Sequence, residues 1–105
     1  MSKTPISAPY TLELVTYHLN DGAEADAFLM LNREVGETFT SAQPGFLQRE
    51  IGQNDEGAWL IAVFWKTAEN AKNSIANIDS VPDVVKSYMS MINRNTLKRE
   101  IFDIV

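Results

Sequence analysis

His18 is the chain's single histidine and the one side chain whose ordinary pKa lies near neutrality. At the end of an alternating segment it is a candidate general base if it faces a cavity, and otherwise a solvated strand end. Trp59, Ile61, Val63 and Trp65 recur at every second position. They share one face of a strand, where an indole either stacks on a planar aromatic ligand or fills a core. Tyr17 and Tyr88 each join an apolar ring to a hydroxyl that could orient a ligand oxygen; core-edge packing is the alternative. Met30, Met89 and Met91 suit an adaptable pocket or ordinary gap-filling. Glu34, Glu37, Glu50 and Asp55 show no convergent spacing and read as solvated surface.

The counts remove other chemistries. Without Cys there is no thiol nucleophile, thiolate metal site or disulfide, and one His cannot build a multi-His metal centre. The five glycines form neither a phosphate loop nor a dinucleotide fingerprint. No metal, flavin, haem or nucleotide cofactor is therefore expected. A net charge of −5 with scattered basic residues argues against a nucleic-acid partner. No apolar run exceeds residues 58–65, far short of the ~20 a membrane-spanning helix needs. Residues 1–9 lack an apolar core that would mark a signal segment, so a cytoplasmic location is expected.

At 105 residues the chain has room for one domain: a short arm over residues 1–10, then a single unit over 11–105. Residues 11–19 alternate, with Leu12, Leu14, Thr16 and His18 on one side and Glu13, Val15, Tyr17 and Leu19 on the other. Asn20-Asp21-Gly22 stops this strand, and Asp21 is placed to cap a helix over 23–42 with Phe28, Leu31, Val35 and Phe39 on its stripe. Gln43-Pro44-Gly45 ends that helix. A strand over 46–53, a turn at Asn54-Asp55-Glu56-Gly57 and a strand over 58–65 make a hairpin. The second of these is apolar on both faces, which places it centrally with both sides buried. Thr67 caps a helix running to about residue 78, and Ser80-Val81-Pro82-Asp83 resembles a capping box that restarts a helix bearing Val84, Val85, Tyr88, Met91 and Ile92. Asn93-Arg94-Asn95 ends it, and 97–105 reads as the last strand.

The order β-α-β-β-α-β, with the second helical segment in two pieces, is an α+β, ferredoxin-like plan: a four-stranded antiparallel sheet with helices on one face. The helices leave roughly 400 Å² of the other face open. Leu60, Ala62 and Phe64 make that face apolar, and a second copy about a two-fold axis would cover it. A homodimer is expected.

Pro44-Gly45-Phe46 entering a strand, the turn from Asp55 to Gly57, and Trp65-Lys66-Thr67-Ala68-Glu69-Asn70-Ala71 opening a helix resemble the antibiotic-biosynthesis-monooxygenase-like group of the dimeric α/β-barrel superfamily. The resemblance implies a dimer forming an α/β barrel, a ligand pocket between sheet and helices of each subunit, and cofactor-free oxygenation of a small aromatic or quinone-like compound. The resemblance turns the face bearing Trp65, Ile61 and Trp59 toward that pocket; with Tyr17 and Tyr88, whose hydroxyls could orient a ligand, they are the substrate-binding candidates, and His18, by its near-neutral pKa, is the catalytic one. Aromatic-oxidising members carry Asn four residues before the tryptophan; this chain has Ile61 there. Haem-degrading members carry a His in the second helical region, and residues 68–92 contain none. The alternative is a non-catalytic, stress-associated or apolar-ligand-binding barrel protein.

Overall fold

The computed structural model describes residues 5–74 and 81–105. In chain order it runs β1 (Tyr10–Leu19), α1 (Ala25–Thr38), a 3-10 turn (Thr40–Ala42), β2 (Phe46–Gln53), β3 (Trp59–Trp65), α2 (Ala68–Asn73), α3 (Asp83–Ser90) and β4 (Ile92–Ile104). The strands form one sheet in the order β2-β3-β1-β4, each neighbouring pair antiparallel. This is the ferredoxin-like arrangement expected, with the second helical segment in two pieces.

Strand β3 is central and its burial alternates. Trp59, Ile61, Val63 and Trp65 are buried, whereas Leu60, Ala62 and Phe64 are only half-buried. The expectation that both faces are buried holds for one face alone, because among the described residues no element packs over the other. Cross-strand register puts Leu12, Phe64, Gln48 and Phe102 in one row of that open face, and Leu14, Ala62, Glu50 and Glu100 in the next. Phe102 is 44% exposed.

The covered face packs around Phe28 of α1, which has no solvent exposure. Its ring lies 4.9 Å from Trp59 and 5.5 Å from Tyr88, and meets Tyr17 edge-on at 6.0 Å. Aromatic pairs in these geometries add to what area burial alone contributes.

Several boundaries differ from the sequence reading for identifiable reasons. Asp21 does not cap α1, which begins later at Ala25 with Glu24 as N-cap and no side-chain capping bond. The chain instead turns at Asn20, whose carbonyl accepts from Ala23 N at 3.0 Å. Helix α1 stops at Thr38, four residues before the expected end, where Thr38 and Ser41 hydroxyls bond back to the Glu34 and Glu37 carbonyls. Thr67 does cap α2, accepting from Asn70 N at 3.1 Å. The stretch from about 75 to 80, including Ser80 of the expected capping box, lies outside the described residues; α3 starts at Asp83 behind Pro82. Asn93-Arg94-Asn95 is not a helix end but the opening of β4. Thr16 pairs with Lys98 while His18 pairs with Asn93, so residues 94–97 bulge from the ladder.

Candidate functional site

Between the covered sheet face and the helices lies a cavity of about 370 Å³, within the range of small-molecule sites. Val15, Ile61 and Val63 form its floor, and Val35, Phe39 and Val85 its apolar wall. Glu13, Arg49 and Arg99 are the charged residues among the described lining.

Strand parity and register assemble one end of the site. Thr11 pairs with Trp65 and Glu13 with Ile101, so Glu13 sits on the covered face next to the indole and to the strand carrying Arg99. Glu13 is 5% exposed and Trp65 1%. Trp65 Nε1 donates to Glu13 Oε1 at 2.9 Å, and Arg99 Nε donates to Glu13 Oε2 at 2.5 Å. Arg99 Nη2 also donates to Ala71 O at 2.9 Å, tying the group to α2. A buried carboxylate carries a heavy desolvation cost unless paired and hydrogen-bonded. Here the guanidinium and the indole N–H meet that requirement, and both stay on the cavity wall.

Four residues along β1, about 13 Å away by strand rise, Tyr17 and Tyr88 share a hydrogen bond between their hydroxyls. Burial raises both phenols above their ordinary value. For Tyr17 its neighbour Tyr88 adds to the rise and Arg49 opposes it; for Tyr88 both Tyr17 and Arg49 oppose it. Both are neutral donors and acceptors at physiological pH. Two hydroxyls hold two protons and the shared bond uses one, so a second is available to a ligand oxygen. Arg49 is fixed against α1: Nη1 donates to Asn32 O at 3.1 Å and Nη2 to Asn32 Oδ1 at 2.7 Å. Gly36 permits that approach, since a Cβ there would stand 3.1 Å from Arg49 Nη1. Arg49 also borders an open groove outside the cavity, between α1 and β2.

The loop entering β2 shapes the helix that follows Trp65. Gly45 has φ +80, and a Cβ there would lie 2.1 Å from Asn70 Oδ1, so Pro44-Gly45 lets the chain pass against the start of α2. Its carbonyl accepts from Lys66 N at 2.8 Å.

Of the residues singled out from sequence, Trp65, Ile61, Tyr17 and Tyr88 line the cavity. Trp59 does not; its ring is taken up against Phe28. His18 does not either. It shares parity with Leu12 and Leu14, is exposed on the uncovered side of the sheet, and its backbone N–H bonds Thr96 Oγ1 at 2.9 Å. The condition for a base role in this cavity, facing into it, is not met. Sequence reading missed Glu13, Arg99 and Arg49. The available signal was Glu13, a charge sharing the Val15 and Tyr17 face of a strand. Among the described residues no three His, Cys, Asp or Glu side chains lie together as a metal site, and no helix is long and apolar enough to cross a membrane.

No family model matches the sequence, and neither does any curated protein. Solved structures do match in fold. SnoaB, a cofactor-independent oxygenase from Streptomyces nogalater, superposes with a TM-score of 0.73 over 93% of this chain and 95% of its own, at 11% identity. The fold is that of the antibiotic biosynthesis monooxygenase-like proteins. An inferred member from Bordetella bronchiseptica gives a TM-score of 0.75 over 93% of this chain and 99% of its own, at 16% identity. Another from Chloroflexus aurantiacus gives 0.64 over 90% and 93%, at 22% identity. At these identities the likeness is one of architecture, and it agrees with the resemblance carried by Trp65 and the residues after it.

Proposed function

We propose that the chain binds a small planar hydroxyarene in the cavity beside Trp65 and oxygenates it without a bound cofactor. The observation carrying this reading is one apolar cavity with polar groups at two places: Trp65, Glu13 and Arg99 at one, the Tyr17–Tyr88 pair with Arg49 nearby at the other. An electron-rich hydroxyarene, once deprotonated, can pass an electron to O₂. Recombination forms a C–O bond, and the hydroperoxide loses water to leave a carbonyl. For 1-naphthol the balance is C₁₀H₈O + O₂ → C₁₀H₆O₂ + H₂O, with no external reductant. The cationic Arg49 and Arg99 would stabilise the anion that forms. Because His18 faces away, the proton acceptor in this reading is a wall group, and Glu13 is the carboxylate there. The test is oxygen uptake with 1-naphthol: enzyme-dependent consumption, with one ¹⁸O from ¹⁸O₂ in 1,4-naphthoquinone, is expected. Binding without oxygen uptake would leave the second reading.

That second reading is a ligand-binding protein without chemistry. It is favoured by the internal pairing of the polar groups: among the described residues, no buried side-chain nitrogen or oxygen lacks a partner.

Two copies pair through the open face in this proposal. Leu12, Leu14, Leu60, Phe64 and Phe102 lie half-buried or exposed there, an apolar area that soluble monomers seldom leave uncovered.

A further inference from the structure

We infer that the Glu13–Arg99 pair selects the charge state of the ligand: it receives an uncharged hydroxyl edge and rejects a carboxylate. The inference rests on the proposed binding of an aromatic molecule in this cavity and adds which polar edge that molecule presents. It follows from an account of donors and acceptors. A carboxylate offers about four acceptor positions and a guanidinium five donors. Glu13 uses one position on Oε1 for Trp65 and one on Oε2 for Arg99, which leaves acceptor capacity on both oxygens. Arg99 uses one donor on Nε and one on Nη2, which leaves three. Acceptor and donor capacity therefore stand side by side on the wall of one cavity.

A hydroxyl uses both, donating to Glu13 and accepting from Arg99. A carboxylate has no proton to donate, and placed here it would bring a second negative charge against Glu13 where little water screens it. Arg99 alone would invite that carboxylate; Glu13 cancels the invitation. The anchoring of Arg99 to Ala71 O and of Glu13 to the indole keeps the two groups from parting to accommodate it. Arg49 stands by the Tyr17–Tyr88 pair, held to Asn32 on α1, and is the same in every variant, so a shift in ratio between variants reads Glu13 and Arg99 alone.

The experiment is calorimetric titration of the full chain at pH 7 with 1-naphthol, neutral there, and with 1-naphthoate, its anionic counterpart. Wild type is expected to bind naphthol at least 10-fold more tightly. Glu13→Gln keeps the size and an acceptor for Trp65, and it should lower the naphthol-to-naphthoate ratio at least 10-fold. Arg99→Gln should move the ratio the other way, because Glu13 is then uncompensated. Opposite shifts are a signature that loss of packing does not produce, and either variant alone reads its own direction should the other fail to fold. Equal weakening of both ligands by Glu13→Gln, or a wild type that binds naphthoate as tightly as naphthol, overturns the inference while leaving aromatic binding intact. Failure of both compounds to bind wild type overturns aromatic binding and this inference together.

Discussion

Replacing Trp65 with Phe separates the two jobs the structure gives that side chain. The indole is 1% exposed, donates to the buried Glu13 carboxylate at 2.9 Å and meets Phe46 edge-on at 6.1 Å. Phe retains most of the ring but removes the N–H. Losing a hydrogen bond to a charged group costs about 1.5–3 kcal/mol, and the missing ring atoms leave a small void worth about 1 kcal/mol more. The sum is about 2.5–4 kcal/mol, a large share of the roughly 5–15 kcal/mol that holds such a domain together. Urea unfolding followed by far-UV circular dichroism reads the loss directly, and calorimetric titration with 1-naphthol on the same protein reads the ligand. Reduced stacking should weaken binding about 2- to 12-fold. A stability change below about 1 kcal/mol would refute the buried Trp65–Glu13 bond. A full stability loss with unchanged affinity would make Trp65 a core residue and nothing more.

Tyr17 and Tyr88 hold their protons above the ordinary phenol value, so unfolded tyrosines ionise near pH 10 while the folded pair does not. The unfolded chain then binds fewer protons. Stability from this source is full below pH 10 and falls above it, by up to about 1.4 kcal/mol per pH unit for each group; the Tyr17→Phe/Tyr88→Phe double variant should flatten that part of the decline in urea midpoints. His18→Asn should leave naphthol affinity and any oxygen uptake within two-fold of wild type, and a larger loss in steady-state assays would return His18 to the site. Light scattering at micromolar concentration should give about 24 kDa, twice the 11.8 kDa chain, and Phe64→Asp should halve it; a wild-type value near 12 kDa would contradict pairing through the open face.

The plan of the fold was legible because each element carries its own period. Trp59, Ile61, Val63 and Trp65 alternate over a strand that proves central, and Thr67 caps the helix the motif placed after it. The cavity's apolar floor was legible for the same reason. Its polar end was not. Glu13 meets Trp65 across 52 positions and Arg99 across 86, pairings set by the register of β3 and β4 on β1 rather than by any local spacing. His18 shows the limit from the other side: its parity with Leu12 and Leu14 is plain in the sequence, but which parity faces the helices is decided by Phe28 of α1 packing on Tyr17 and Trp59, a contact no local spacing encodes. The bulge at 94–97 was hidden because Asn93-Arg94-Asn95 spells a helix end as readily as a strand irregularity.

Two tryptophans on one strand give the central claim an internal control, since Trp65 lines the cavity and Trp59 does not. The indole N–H peaks of the ¹⁵N-labelled protein, assigned with Trp65→Phe and Trp59→Phe, can be followed while 1-naphthol is added. Binding in the cavity predicts a saturable shift of the Trp65 peak with the Trp59 peak nearly still. Two stationary peaks, or a Trp59 peak that moves as far as its neighbour's, would contradict a ligand site beside Trp65.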